Sequence, residues 1–137
     1  MLSTKNEKDP SLGLILVVDD NEIDRYVTNK LLTQWGFEVE LAENGQIAVS
    51  KVVSRQYDMI LMDLHMPILD GFKATKMIRS YNNGEFRDLP IVALTNSIFK
   101  RELDKIDRSG MTGYIPKPFV PDELQRKVMD ILSLQYT

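Results

Sequence analysis

Short, uninterrupted apolar runs alternate along this chain with longer stretches in which apolar residues recur every three or four positions. Three runs contain no polar residue: Leu14–Val18, Met59–Met62 and Ile91–Leu94. Such runs are typical of strands that are covered on both faces of a sheet. Residues 37–41 alternate apolar and acidic side chains, which predicts an edge strand with one face in water. A fifth, shorter strand is predicted at Gly113–Ile115.

Amphipathic stretches between these runs predict five helices. Ile23, Val27, Leu31 and Trp35 form a stripe at four-residue spacing, and Gly36 would end that helix. The other four helices are indicated by Gly45, Ala48, Val49 and Val52; by the segment from Phe72 to Arg79; by Phe99, Leu103 and Ile106 before Gly110; and by Leu124, Val128 and Ile131 after Pro121.

The strictly alternating order of strands and helices predicts an α/β fold. A (βα)5 chain forms a doubly wound parallel sheet with right-handed crossovers. Because the second and fifth strands have the character of edges, we expect the flavodoxin-like strand order 2-1-3-4-5. Residues 1–12 are polar and carry no periodicity, so we interpret them as a tail or linker remnant before one domain at 13–135.

Composition narrows the classes of function. The chain has 137 residues, of which 43% are hydrophobic and 27% charged, as in ordinary soluble domains. The net charge is -3 and the sequence contains no block of basic residues, which argues against direct nucleic-acid binding. There is no cysteine for disulfide chemistry, and no apolar stretch approaches the ~20 residues of a membrane span. We therefore expect a cytoplasmic protein without a membrane segment.

Five polar residues lie where predicted strands end: Asp19 and Asp20, Asp63, Thr95 and Lys117. Parallel strands bring their carboxyl ends to one edge of the sheet, where open α/β folds bind ligands. Each residue also has a structural explanation, since acids cap helices, threonine ends strands and lysine occupies surface turns. Together, however, three carboxylates, a hydroxyl and an ammonium group predict a site that binds Mg²⁺ and a phosphoryl group.

Asp63 is the best candidate for a nucleophile in this site, because a carboxylate can form an acyl phosphate. It opens the loop MDLHMPILDG, in which Asp70 is expected to cap the third helix. His65, the only histidine, is interpreted as a non-catalytic residue at the rim of the site. The prolines of YIPKPF would hold the loop of Lys117 rigid.

From about Leu14 to Leu134 the chain resembles the receiver domain of two-component response regulators and hybrid sensor histidine kinases. The resemblance rests on the acidic pair after the first strand and on MDLHMPILDG, ALTN and YIPKPF, in that order. It implies a signalling phosphoprotein of a phosphorelay, with a histidine kinase or a histidine phosphotransfer protein as donor. A downstream effector protein or domain would be the target, because the predicted domain leaves no room here for an output domain. The long connection SYNNGEFRDLP favours a receiver of the hybrid-kinase type.

The resemblance also implies a role for each residue of the site. Asp63 would be the phosphoacceptor, and Thr95 and Lys117 would hold phosphoryl oxygens. The Mg²⁺ ligands would be Asp20, Asp63 and the backbone carbonyl of His65, with Asp19 acting through water. The Lys117–Pro118 bond would be cis. Phosphorylation would draw Thr95 toward the new charge and turn Tyr114 inward, which would remodel the face of helix four, strand five and helix five.

Asn96 departs from the family pattern, which usually has a small residue after the threonine. A polar amide there would crowd the phosphoryl group or the path of hydrolytic water, so Asn96 is expected to tune the phosphoryl lifetime. His65 and Ser97 are the other predicted tuning positions.

Two other functions compete with the receiver interpretation. A Mg²⁺-dependent phosphatase or phosphotransferase shares aspartate chemistry, but it generally needs an acid–base carboxylate just beyond the nucleophile. Here Leu64 and His65 follow Asp63, so we do not expect an enzyme acting on outside substrates. A degenerate receiver that serves only as a binding surface is disfavoured because all five site residues are present.

Overall fold

A computed structural model describes residues 11–133 as five strands and five α-helices in strict alternation. The strands are β1 (Leu14–Val18), β2 (Glu38–Ala42), β3 (Met59–Asp63), β4 (Ile91–Thr95) and β5 (Gly113–Pro116). The helices are α1 (Glu22–Gln34), α2 (Gly45–Ser54), α3 (Gly71–Ser80), α4 (Lys100–Arg108) and α5 (Pro121–Ile131), and a 3₁₀ turn at Tyr81–Asn83 follows α3. All ten predicted elements are confirmed.

The strands form one parallel sheet in the order β2-β1-β3-β4-β5, as the sequence predicts. Its register matters for the site, because Val18 lies opposite Met62, Asp63 opposite Leu94 and Thr95 opposite Pro116. The carboxyl ends of β1, β3, β4 and β5 are therefore level with one another. The residues that follow those ends must share one edge.

Apolar side chains cover both faces of the sheet. One face packs against α2, α3 and α4, and its buried residues include Leu16, Ile60, Ala93, Ile78 and Ile106. The opposite face packs against α1 and α5, and its buried residues include Val17, Leu61, Leu94, Leu32 and Val128. Because every residue of β1, β3 and β4 is buried, these three strands form a rigid centre that holds the rim in place.

Two expectations about helix faces are wrong in detail. In α1 the buried residues are Thr28 and Leu32, whereas Ile23 is 72% and Val27 42% exposed. Thr28 can face the core because its hydroxyl donates a hydrogen bond to the Asp24 carbonyl at 2.8 Å, which satisfies the polar group within the helix. Phe99 does not line α4 but precedes it as its N-terminal flanking residue, 79% exposed.

The predicted tail lies mostly outside the described part of the chain, which begins at residue 11. At its inner end, the Leu12 amide donates a hydrogen bond to the Gly36 carbonyl at 3.1 Å. The proposed domain end at 135 also falls outside the described residues. No helix within residues 11–133 has the length and apolar character that crossing a membrane requires.

Candidate functional site

The rim residues converge as the strand register requires. Asp19 and Asp20 follow β1, Asp63 ends β3, Thr95 ends β4 and Lys117 follows β5. The Asp19 amide donates to the carbonyl at the end of β2, and the Lys117 amide donates to the Thr95 carbonyl at 2.8 Å. These hydrogen bonds continue the ladders past the strands, so the backbone itself fixes where the side chains start.

Lys117 is the cationic centre of this group. Its side chain is only 9% exposed, and Nζ lies 2.8 Å from Asp19 Oδ2 and 3.2 Å from Asp24 Oδ2. The distance from Nζ to Asp63 Oδ1 is 3.8 Å, beyond hydrogen-bond length. Burial alone would lower the pKa of Lys117, but the hydrogen bond to Asp19 and the charge of Asp63 outweigh it and raise the pKa. The ammonium therefore stays charged.

Three carboxylates gather beside this ammonium. Oxygens of Asp19, Asp20 and Asp63 all lie within 4.8 Å of one another, with Asp19 and Asp63 buried and Asp20 exposed. A donor set made only of carboxylate oxygens, open to water on one side, fits a hard divalent cation such as Mg²⁺. The residues thus fit the metal that the sequence predicts at this rim.

The carboxyl group of Asp63 has a raised pKa. Burial raises the pKa of its carboxyl to about 7; Lys117 opposes this rise, while the charge of Asp19 and a hydrogen bond with Asp20 add to it. A second positive charge in the acidic cluster would favour the ionised form, since an opposite charge within a few ångströms lowers a carboxyl pKa. The cluster and the nucleophilic form of Asp63 are therefore electrostatically coupled.

Thr95 and the two residues after it form a small turn. The Thr95 hydroxyl donates to the Ser97 carbonyl and accepts from the Ser97 amide, each at 3.0 Å. Thr95 is buried and Asn96 is exposed beside it. Any movement of the Thr95 hydroxyl toward Asp63 exchanges these two local hydrogen bonds, so the β4–α4 segment is mechanically tied to that hydroxyl.

The loop after Asp63 is shaped by a close backbone approach. A side-chain carbon at Gly71 would collide with the Asp63 carbonyl, so only glycine fits where α3 begins. Asp70 caps α3 by accepting a hydrogen bond from the Lys73 amide at 2.8 Å, which confirms its predicted role. The Lys117–Pro118 bond is cis, as expected from the resemblance.

His65 is exposed and faces α4 across the rim. Its Nε2 lies 2.8 Å from Glu102 Oε2, and its ring meets the edge of Phe72. These contacts agree with a position at the rim, and they join the loop after Asp63 to α4.

Tyr114, the predicted switch residue, is partly buried and lines a groove of about 810 Å³ between α4 and α5. Ile98 and Leu103 border the same groove, and the Lys127 ammonium lies 5.8 Å from the centre of the Tyr114 ring. The groove lies on the face of α4, β5 and α5, which the sequence predicts to respond.

Two residues that the sequence pattern did not indicate also contact the site. Asp24 binds Lys117, as described above, and the Arg25 guanidinium donates to the Asp19 carbonyl at 2.7 Å. The available signal for Asp24 was its position in the first turn of α1, shortly after the acidic pair Asp19 and Asp20. Arg25 carries no pattern that predicts a contact with the strand end.

Comparisons with known proteins agree with this geometry. The profile of the family described as the response regulator receiver domain matches residues 15–129. The CAI-1 autoinducer sensor kinase/phosphatase CqsS of Vibrio cholerae is 39% identical over 114 residues, which are 83% of this chain and 16% of that protein. Transcription factor SKN7 of Saccharomyces cerevisiae is 34% identical over 110 residues, 80% of this chain and 17% of that protein. The chain thus spans about a sixth of the length of these relatives.

Solved structures extend the match to three dimensions. The receiver domain of sensor histidine kinase PA1611 from Pseudomonas aeruginosa, crystallised with a magnesium ion in its active-site cleft, is 37% identical with a TM-score of 0.81 and covers 88% of this chain and 98% of its own. The receiver domain of Ssk1 from Saccharomyces cerevisiae, bound to the histidine phosphotransfer protein Ypd1, is 31% identical with a TM-score of 0.80 and covers 88% of each chain. On its sequence and its fold, this chain belongs to the response regulator receiver domain family of two-component signalling.

Proposed function

We propose that the chain accepts a phosphoryl group on Asp63 in a Mg²⁺-dependent reaction and passes the signal on through the face of α4, β5 and α5. The observation that carries the proposal is the convergence of a poised carboxylate, two further acids, a buried ammonium and a buried hydroxyl at one end of the sheet. The domain proposed to do this spans 13–135, with residues 1–12 as a tail or linker.

In this proposal the donor is a phosphohistidine on a histidine kinase or a histidine phosphotransfer protein. One Asp63 oxygen attacks phosphorus, the oxygen–phosphorus bond forms as the phosphorus–nitrogen bond breaks, and the imidazole leaves with the electron pair. The complex of Ypd1 with the Ssk1 receiver supports a partner of the phosphotransfer class. The phosphoryl group stays on the chain's own Asp63, so in this proposal the chain acts as a signalling module.

We propose a separate task for each residue of the rim. Asp20, Asp63 and the His65 carbonyl would hold Mg²⁺, with Asp19 acting through water, and the ion would neutralise charge on the transferred group. Lys117 is 3.8 Å from Asp63 and would donate to one phosphoryl oxygen, while the Thr95 hydroxyl would donate to another. Because Thr95 must give up its contacts with Ser97, its movement would shift the β4–α4 segment and let Tyr114 turn inward.

The direct test is phosphoryl uptake from a small donor, phosphoramidate or acetyl phosphate, with and without Mg²⁺. We expect intact-mass analysis to show one added phosphoryl group on the parent only when Mg²⁺ is present, and none on Asp63→Asn. Asp70→Asn is the matched control, because it makes the same change in the same loop and keeps a good helix cap. Uptake by Asp63→Asn at the parent rate would refute the proposal.

Asn96 provides a second prediction within this function. Asn96 is exposed and directly follows Thr95, and in this proposal its amide would crowd the path of hydrolytic water. We expect Asn96→Ala to shorten the lifetime of the phosphorylated protein several-fold, measured by the decay of the phosphorylated mass after the donor is removed. Equal decay rates for the variant and the parent would show that Asn96 does not tune the lifetime.

A further inference from the structure

Asp24 occupies a helix position whose usual task is already performed by another residue. It is the third residue of α1, and an acidic side chain there commonly turns back to the amide of the N-cap. Here the N-cap is Asn21, and its amide instead donates to Asp19 Oδ1 at 3.0 Å. The Asp24 carboxylate is therefore free to point across the rim toward Lys117.

The contact with Asp24 is the weaker of the two hydrogen bonds that hold the lysine. Lys117 Nζ binds the fully buried Asp19 at 2.8 Å but binds Asp24, whose side chain is 42% exposed, at 3.2 Å. Asp24 keeps its place without this contact, since its amide is capped by Asn21 and its carbonyl accepts from Thr28. Because Asp24 is more exposed and farther from the ammonium, its hydrogen bond is expected to break before that of Asp19 when the ammonium moves.

We propose that Asp24 is a positioning residue that competes with the phosphoryl group for Lys117. In the resting state Asp24 and Asp19 hold the ammonium 3.8 Å from Asp63, just too far to donate. A phosphoryl group on Asp63 must draw the ammonium away from Asp24 while the buried contact with Asp19 persists. This competition makes binding of a phosphoryl group less favourable than it would be without the Asp24 carboxylate. The inference rests on the proposed function of Asp63.

This competition fixes the direction of the effect. Asp24→Asn removes one negative charge beside the place where phosphoryl charge gathers, and it leaves the lysine with only one strong partner. The variant should bind a phosphoryl mimic more tightly than the parent does. A gain in affinity is informative because damage to the fold lowers affinity and does not raise it.

The probe is beryllofluoride, a stable mimic of a phosphoryl group on a carboxylate, titrated by calorimetry in saturating Mg²⁺ at physiological ionic strength. Glu22→Gln is the matched control, because it also removes an acid from the first turn of α1 but contacts no part of the lysine among the described residues. We expect Asp24→Asn to bind about 5-fold more tightly, a change of about 1 kcal/mol, and Glu22→Gln to stay within about 2-fold of the parent. Asp24→Glu, which keeps the charge, should restore affinity toward the parent value.

The outcomes separate this inference from the function on which it rests. If the parent binds beryllofluoride and Asp24→Asn binds no more tightly than Glu22→Gln, the competition is refuted while the role of Asp63 stands. If Asp24→Glu binds as tightly as Asp24→Asn, the charge of Asp24 is not what restrains the lysine, and the inference also fails. If the parent itself does not bind beryllofluoride with Mg²⁺, both the proposed function and the inference are overturned.

Discussion

Asp63→Asn is expected to raise the free energy of unfolding by up to about 4 kcal/mol near pH 8 in the absence of Mg²⁺. In the folded protein burial raises the pKa of Asp63 to about 7 from its ordinary 3.8, so the native state binds the proton more strongly than the unfolded state. Stability contributed by this carboxyl is present below about pH 4 and is lost as the pH rises through 7. An amide of the same shape avoids that loss.

The pH dependence and Mg²⁺ distinguish this cause from a general gain in packing. The stabilisation by Asp63→Asn should be complete near pH 8 and should disappear below about pH 4, when measured by urea unfolding followed through circular dichroism. Added Mg²⁺ should stabilise the parent more than the variant, because the ion needs the carboxylate that the variant lacks. A variant that is no more stable than the parent near pH 8 would contradict the electrostatic account of the cluster.

Lys117→Met is expected to produce the opposite result, a loss of about 3 kcal/mol in the free energy of unfolding near pH 8 without Mg²⁺. The fully buried Asp19 loses its ammonium partner at 2.8 Å, and Asp63 loses the charge that opposes its own rise in pKa. Removing one member of a buried ion pair leaves the other charged without compensation. Urea unfolding measures the loss, and Mg²⁺ should recover part of it by supplying positive charge.

Lys100→Met is the matched control for that loss. Lys100 also pairs with an aspartate, Asp104, at 3.0 Å on α4, but its side chain is 87% exposed. Exposed pairs contribute little, so we expect a change below about 0.5 kcal/mol. If Lys117→Met costs no more than Lys100→Met, the buried lysine does not hold the rim together as we describe.

The sequence predicts much of this molecule because its strongest signals are periodic and local. The apolar runs at β1, β3 and β4 read as buried strands, and those strands are buried along their full length. Once the order of strands and helices predicts a parallel sheet, the placement of Asp19, Asp63, Thr95 and Lys117 at one edge follows from topology. Their grouping at one edge can be predicted without knowledge of the side-chain conformations.

The features that the sequence did not predict depend on packing between elements. The inward face of α1 includes Thr28, which the sequence pattern marks as polar. It can be buried because its hydroxyl makes a hydrogen bond within the helix. Phe99 reads as part of an apolar helix face, yet α4 begins one residue later and leaves it exposed. The contact of Asp24 with Lys117 spans 93 residues of sequence and could only be found once α1 and the β5–α5 loop were placed.

Phosphorylation of Asp63 is tested most directly by chemical identification of the residue that carries the phosphoryl group. After uptake from phosphoramidate with Mg²⁺, borohydride reduces an aspartyl phosphate to homoserine, and tandem mass spectrometry of the digested chain locates the changed position. We predict this change at Asp63 and at no other aspartate, with none when Mg²⁺ is withheld. Conversion at Asp19, Asp20 or Asp24 with Asp63 unchanged, or a phosphoryl group that resists borohydride, would contradict this prediction.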